Sequence, residues 1–215
     1  MPAKAARPPK NAKSTYAVHP GVAYCEAIIT NMPDKTGRSI DEWKKLVLAD
    51  GPKETKARKA WLQKTHKLGG TTAELIVHHT EGTERDHFDG KAYLDQAVRY
   101  VEAMYEGKKA PLRAIHDAAL AYALTLGADV RVCPCKTIVP LYREHVFAEI
   151  KPATQKRVDL GLCLKGAKRK PTKRLVDTGG AAKGNRITHR IPLESVDDFD
   201  ADAKDWLAYA YAIDG

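Results

Sequence analysis

The sequence predicts an α+β protein: an N-terminal all-α domain followed by an antiparallel sheet flanked by two helices. Two observations carry this prediction. Apolar residues recur at three- and four-residue spacing over much of residues 21–126, which is typical of amphipathic helices. From residue 130 to residue 191 the period changes to two, and short turns separate segments rich in β-branched and other apolar residues. Such a pattern favours strands joined into an antiparallel sheet.

The helical region contains recognisable helix boundaries. Ser39-Ile40-Asp41-Glu42 is a capping box, in which the serine hydroxyl and the glutamate carboxyl each accept a backbone amide. Gly51-Pro52 ends the helix that this box opens. Residues 54–68 and the helix through Val77 are separated by a glycine turn and have the outline of a helix-turn-helix. Because the second helix would present acidic and histidine side chains to DNA, packing of a small helical domain is the better interpretation.

The second half alternates residue by residue. Val158, Leu160 and Leu162 share one side of a predicted strand, and Asp159 and Gly161 lie on the other. Pro140 interrupts the predicted strand at residues 137–142, which implies a sheet edge or a bulge. Helices over residues 112–126 and 199–213 are the two elements able to cover one side of the sheet.

We therefore divide the chain into three parts. Residues 1–19 contain four cations and almost nothing to bury, which predicts a disordered basic tail. Residues 20–107 form the helical domain, and residues 108–215 form the α+β domain. A charged, proline-containing segment at residues 106–111 sets the boundary.

The net charge of +9 is unevenly placed. Residues 151–190 hold 12 basic and 2 acidic residues, whereas residues 191–215 hold 1 basic and 7 acidic residues. A concentrated positive charge favours an anionic partner, most often nucleic acid. We expect DNA or RNA to be bound without sequence preference by a surface made of these residues: Arg143, Arg157, Lys168, Arg169, Lys170, Lys173, Arg174, Arg186 and Arg190.

A second pattern points to hydrolysis. Glu149-Ile150-Lys151, with Asp129 upstream, matches the acid and Glu-x-Lys arrangement of magnesium-dependent nucleases. In a strand, Glu149 and Lys151 share one side. His189 is a further catalytic candidate: it alternates with Ile187 and Ile191, which places it on the apolar side of the last predicted strand.

The cysteine spacing and the hydropathy argue against disulfide-rich, zinc-binding and membrane-spanning proteins. Four irregularly spaced cysteines do not form a disulfide framework, and the single residue between Cys133 and Cys135 is too short for the usual zinc spacing. We expect no metal and no cofactor. The longest uncharged apolar run, residues 118–128, is well below the roughly 20 residues that cross a bilayer. These features predict a cytoplasmic protein without a membrane partner.

Several motifs resemble two known domains of bacterial proteins. Thr36-Gly37-Arg38-Ser39 with Glu42-Trp43, followed by Trp61-Leu62 and His66-Lys67-Leu68-Gly69, resembles a small helical domain of unknown function. The second half resembles an uncharacterised domain often appended to the first. That resemblance depends on Arg143, Phe147, Pro152, Asp159-Leu160-Gly161-Leu162, Thr188-His189-Arg190-Ile191, Trp206 and Tyr211. Relatives of the second domain accompany restriction-type modules, an association that implies nucleic acid.

These observations favour a nucleic-acid-binding or accessory protein rather than an enzyme. A magnesium-dependent nuclease or other hydrolase is the first alternative. The second alternative is a protein-interaction module, in which the helical domain docks another protein.

Overall fold

A computed structural model describes residues 15–215. The N-terminal half is helical. Its helices are α1 (Pro20–Thr30), α2 (Met32–Thr36), α3 (Ile40–Asp50), α4 (Thr55–His66), α5 (Gly70–Glu81) and α6 (Gly90–Met104), with a 3₁₀ turn at Arg85–His87.

The capping box predicted from the sequence is formed at the start of α3. The Ser39 amide donates to Glu42 Oε2 at 2.7 Å, and the Glu42 amide donates to Ser39 Oγ at 3.3 Å. The capping box sets the start of the helix that carries Trp43. The indole nitrogen of Trp43 donates to Thr36 Oγ1 at 2.8 Å. Trp43 packs with Leu62 and Ile76, so α3, α4 and α5 share one apolar core.

Helix α6 connects the two halves of the molecule. Tyr93 and Ala97, near its start, pack against Val22 of α1. Tyr100 and Val101, one to two turns later, belong to the core of the α+β part. The boundary expected after residue 107 therefore follows a helix that contributes to both cores.

The second half forms a six-stranded sheet with two helices. The strands are β1 (Arg131–Val132), β2 (Val139–Tyr142), β3 (Val146–Lys151), β4 (Val158–Leu162), β5 (Val176–Asp177) and β6 (His189–Leu193). All neighbours are antiparallel, in the order β1-β2-β3-β4-β6-β5. A 3₁₀ turn at Gly107–Leu112 leads into α7 (Arg113–Ala123), and another at Val196–Asp198 precedes α8 (Ala201–Ala212). The α+β class predicted from the sequence is confirmed.

Pro140 lies next to a register shift. The pairing of β2 with β3 slips between Leu141 and Tyr142, just after the proline. The missing N–H of Pro140 faces β1, beyond the last paired residue of that strand, so β2 loses no hydrogen bond to β3 at this position. Pro140 still accepts a hydrogen bond through its carbonyl from the Cys133 amide. Strand β2 therefore pairs on both sides despite the missing N–H.

One side of the sheet is the core of the second half. Leu160, Leu162 and Ile191 are fully buried there, beneath Trp206 and Leu207 of α8. Helix α7 adds Ile115 and Ala119 to the same core. Neither α7 nor α8 covers the other side of the strands, so that side is available for the charged residues described below.

The predicted disordered tail, residues 1–19, lies mostly outside the described residues. Residues 15–19 are attached to the fold: the Ala17 amide donates to the Val132 carbonyl at 2.9 Å, and His19 caps α1 by accepting the Gly21 amide. Across residues 15–215, no helix has both the length and the apolar character needed to cross a membrane.

Candidate anion-binding site on the open side of the sheet

The strand register brings five chemically distinct residues together on the open side. Glu149 of β3 stands opposite Gly161 of β4, and Gly161 stands opposite Arg190 of β6. One pair further along, Lys151 stands opposite Asp159. Since cross-strand partners point to the same side of a sheet, two acids and two cations surround a single glycine.

These residues form the floor of a pocket of about 530 Å³, which we call the open-face pocket. One wall is His19 with the β1–β2 loop, including Cys135. The opposite wall is the glycine-rich segment at residues 178–187, which contributes Thr178, Lys183 and Asn185. The pocket thus lies between parts of the chain more than 150 residues apart.

Glu149 is the unusual residue of this floor. Its side chain lies flat over Gly161: a Cβ at position 161 would lie 2.7 Å from Glu149 Cγ. Within residues 15–215, no hydrogen bond or ion pair satisfies its carboxyl group. Burial raises the pKa of Glu149; Lys151 counteracts this effect, and the negative charge of Asp159 adds to it. A half-buried carboxyl group without a partner is a candidate for binding or proton transfer.

The other acid is neutralised by its neighbours. Asp159 Oδ1 accepts from Arg157 Nε at 2.8 Å and from Arg190 Nη1 at 2.9 Å. Arg186, also in the pocket, donates to Asp214 Oδ1 at 2.7 Å and to the Val146 carbonyl at 3.2 Å. These three arginines are held in place, and their charges are largely compensated by the two aspartates.

Four lysines in and near the pocket form no such salt bridge, although the charge of Lys151 acts on the pKa of Glu149. Lys151 also lines a second hollow of about 620 Å³, formed between the sheet and the 3₁₀ turn before α7. The second hollow contains Lys108 and Lys136, and the open-face pocket contains Lys183. All four are exposed, and none forms an ion pair with any residue that the structure describes. We call Lys108, Lys136, Lys151 and Lys183 the lysine track.

The rim of the open-face pocket carries a histidine–tyrosine pair. His19 Nε2 and the Tyr142 hydroxyl are 3.1 Å apart, and their rings meet edge to face at 5.8 Å. His19 Nδ1 accepts the Gly21 amide, which assigns the remaining proton of the neutral ring to Nε2. Burial lowers the pKa of His19, so the neutral form is favoured.

Comparison with known families fits this two-part architecture. The family model described as Domain of unknown function (DUF5655) matches residues 101–214, which is more than half of the chain. The chain belongs to the DUF5655 family. A second model, Domain of unknown function (DUF4287), matches residues 25–82. The two uncharacterised domains predicted from sequence motifs are therefore confirmed, in the expected order. No curated protein and no solved structure matches the chain.

The DUF5655 domain contains all nine cations that the sequence assigned to one basic surface, but distributes them over different places. Arg157, Arg186 and Arg190 belong to the open side of the sheet. Arg169 and Arg174 instead pair with Asp205 and Asp200, both at 2.5 Å, on the side covered by α8. The guanidinium of Arg169 also stacks on the Trp206 ring at 4.1 Å.

The remaining predicted cations differ in their surroundings. Arg143 donates to Asp129 Oδ2 at 3.0 Å and lies over the Tyr211 ring, near the end of α8. Lys168, Lys170 and Lys173 are exposed on the loop between β4 and β5. The amide of Lys168 donates to the Tyr209 hydroxyl, which attaches this loop to α8 rather than to the open-face pocket.

The residues of the nuclease hypothesis lie in two places. Glu149 and Lys151 line the open-face pocket, but Asp129 does not. The Asp129 carboxylate is instead held by Arg143 and by the Tyr211 hydroxyl at 2.7 Å, and these contacts lower its pKa. No group of three potential metal ligands occurs among the described residues. Asp159, on the neighbouring strand, is the acid that accompanies Glu149.

His189 lies outside the pocket. Its cross-strand partner is the buried Leu162, and its Nδ1 is 2.9 Å from the Thr188 hydroxyl. Ile187, expected on the same side as His189 and Ile191, lines the open-face pocket instead. The alternation of side chains between the two sides of the sheet is therefore interrupted between Ile187 and His189. At this point the Thr188 amide donates to the Leu162 carbonyl.

Burial disfavours the thiolate forms of Cys133 and Cys135. Burial raises the pKa of Cys133 to about 12 and also raises that of Cys135, with a further contribution from Glu149. A thiol is a poor nucleophile and a poor metal ligand until it ionises. Cys135 therefore serves as a wall of the pocket.

Three members of the lysine track were missed by the sequence reasoning, which named only Lys151, as a catalytic candidate. Lys183 does belong to the basic block at residues 151–190, and its glycine-rich neighbours were a usable signal of a loop. Lys108 and Lys136 lie outside that block and reach the site only through the folded structure.

Proposed function

We propose that this protein binds nucleic acid through the open-face pocket and the lysine track. The observation that carries the proposal is that two adjoining hollows share Lys151 and contain four exposed lysines without ion-pair partners among residues 15–215. An uncompensated lysine attracts phosphate and releases a condensed counterion when phosphate binds. An arginine already paired with an aspartate gains less, because the carboxylate must first be displaced or tolerated.

The shape of the site favours a backbone contact over base reading. The cations come from a 3₁₀ turn, a hairpin loop, a strand end and a glycine-rich loop, so they follow a path rather than a single helix. No helix of the DUF5655 domain projects from the open side in a way that would fit the major groove. Contacts of this kind determine affinity and give little sequence preference.

The first test is the salt dependence of binding. We expect the full chain to bind single- and double-stranded oligonucleotides, with an affinity that decreases steeply as salt is added. Changing all four track lysines to glutamine should weaken binding and make the logarithmic salt dependence shallower, by about 0.7–0.9 for each phosphate that the variant no longer neutralises. Fluorescence anisotropy over a salt series measures both quantities.

A matched control has the same charge change elsewhere. Four exposed lysines of the helical domain, changed to glutamine together, should leave the salt dependence unchanged: Lys45, Lys53, Lys56 and Lys64. A second control changes Lys168, Lys170 and Lys173 on the loop beside α8. If this loop variant loses binding and the track variant does not, the phosphate-binding surface lies on the α8 side and the proposal is wrong. Absence of binding by the wild-type chain at low salt would also overturn it.

A further inference from the structure

The proposed function leaves the Glu149 carboxyl group unexplained. A negative charge in the centre of a phosphate-binding pocket opposes binding. Asp159 does not present this difficulty, because Arg157 and Arg190 compensate it. Glu149 has no compensating hydrogen bond within residues 15–215, although Lys151 lies on the same side of its own strand and Arg190 lies on that side two strands away. A ligand that can share a proton with Glu149 would remove the conflict.

We propose that the open-face pocket is a site for a phosphate monoester, which shares one proton with the Glu149 carboxyl group. This inference rests on the proposed function, since Lys151 and Lys183 belong to both sites, and it adds the class of phosphate that is bound. The shared proton forms a hydrogen bond between two oxygens that would otherwise repel each other. No covalent step is involved.

The groups around Glu149 are consistent with this arrangement. The positive charges that face the pocket are Lys151, Lys183, Arg186 and Arg190. The neutral groups on the opposite wall are Cys135 and the pair formed by His19 and Tyr142. Asp159 is the other acid of the pocket, and its negative charge raises the pKa of Glu149, which favours sharing a proton over full ionisation.

The chemistry of the ligand decides the specificity. A phosphate monoester loses its second proton at a pKa of about 6, so close to neutral pH a fraction still carries a proton to share. Sulfate and the phosphodiesters of an unbroken strand carry no such proton at neutral pH. In their case Glu149 must take up a proton from water before the anion is accommodated, and binding is weaker. Two ligands satisfy the requirement: the phosphorylated end of a nucleic acid strand, or a free phosphorylated small molecule.

The test compares inorganic phosphate with sulfate on the full chain at equal ionic strength. Both anions have similar general effects on protein stability, because both are excluded from the protein surface. A difference between their affinities therefore reflects binding in the pocket. We expect phosphate to bind the wild-type protein about tenfold more tightly, the equivalent of one hydrogen bond to a charged group. The preference should diminish as the pH is raised above the second pKa of phosphate. Calorimetric titration in buffers of different ionisation enthalpy also measures the proton exchanged.

Glu149→Gln is the diagnostic variant, because glutamine keeps the shape of the side chain and removes its titration. We expect it to bind phosphate and sulfate with similar affinity, and to retain only the pH dependence that comes from the ionisation of phosphate itself. Equal affinity of the two anions for the wild-type protein would overturn the inference, even if the variant failed to fold. An unchanged preference in a folded Glu149→Gln protein would overturn it as well.

Oligonucleotides with and without a 5′-phosphate distinguish the two ligand sources. Tighter binding of the phosphorylated strand identifies the strand end as the ligand. If phosphate is preferred over sulfate but no oligonucleotide binds, the monoester site stands with a small molecule as its ligand, and the proposed function is wrong. If both strands bind equally and sulfate competes as well as phosphate, the proposed function stands and the monoester site does not exist.

Discussion

Replacing His116 by leucine is expected to stabilise the protein and to reduce its loss of stability in acid. His116 lies on α7 with its side chain fully buried, and both ring nitrogens lack a hydrogen-bond partner within the described structure. Its ring contacts that of Tyr105, with 5.0 Å between the ring centres. Two unsatisfied polar atoms in an apolar core destabilise the folded state, so the substitution should add about 1–3 kcal/mol near neutral pH.

The effect should increase in acid. Burial lowers the pKa of His116 from 6.5 to about 4; the positive charge of Arg113 adds to this, and Asp117 opposes it. Below the unfolded pKa of 6.5 the unfolded chain takes up a proton that the folded protein does not accept, and stability falls until the pH reaches the folded pKa of about 4. A pKa shift of this size lowers the free energy of unfolding by about 3 kcal/mol between these two pH values. Leucine does not titrate, so its variant should lack this contribution.

Urea unfolding at several pH values between the two pKa values provides the measurement. His116→Gln is the matched control: it removes the titration but keeps a buried polar group. We expect glutamine to flatten the pH dependence without the gain in stability near neutral pH. If wild type and His116→Leu lose stability in parallel on acidification, the pKa of His116 does not differ between the folded and unfolded states, and this prediction is wrong.

The architecture was predictable because it depends on short-range patterns. All six strands fall within or next to segments that alternate with period two, since a sheet with one buried side requires apolar residues at every second position. The helices on either side of the sheet segment have apolar stripes of the right length to cover it. Pro140 also predicted an irregularity in this part of the sheet, because proline has no amide proton, and a register shift lies just after it.

The charge distribution was much less predictable, because the partners of a charged residue are chosen by tertiary structure. The sequence shows twelve basic residues between positions 151 and 190, yet it does not show which aspartates will reach them. Arg174 pairs with an aspartate 26 residues away, and Arg186 with one 28 residues away. A local excess of positive charge therefore overstated the free basic surface. It also gave no weight to Lys108, which lies more than 40 residues before the block.

The residues at the centre of the pocket could be predicted only in part from the sequence. Strand alternation placed Glu149 and Lys151 on one side of β3, and Asp159 and Gly161 on one side of β4. What it could not supply was the register between the two strands, which sets Glu149 opposite Gly161 and Lys151 opposite Asp159. Without that register, Asp129 was selected as the second acid on the strength of a motif. In the structure, Asp129 instead contacts Arg143 and Tyr211.

Gly180→Ala is expected to abolish the open-face pocket while leaving the sheet and its core folded. Gly180 is buried within the glycine-rich segment at residues 178–187, and a Cβ there would lie 2.1 Å from the Ile187 carbonyl oxygen. That oxygen belongs to the backbone, so a side-chain rotation cannot relieve the contact and the segment must move. The Gly180 carbonyl accepts the amides of Lys183 and Asn185, which makes the whole turn depend on its position. Overpacking of this kind costs about 1–3 kcal/mol.

Because Lys183 and Asn185 lie on the displaced turn, anion binding should decrease about tenfold or more, the equivalent of losing one charge-assisted hydrogen bond. Titration with an oligonucleotide and with inorganic phosphate measures the decrease. Gly184→Asn is the control in the same turn. Gly184 has a φ of 72° with no atom within 4 Å of an added Cβ, and asparagine tolerates this left-handed conformation. The control should therefore keep its affinity. Unchanged binding by a folded Gly180→Ala protein would mean that the glycine-rich segment is not a wall of the binding site, and that the lysines of the second hollow bind the anion without it.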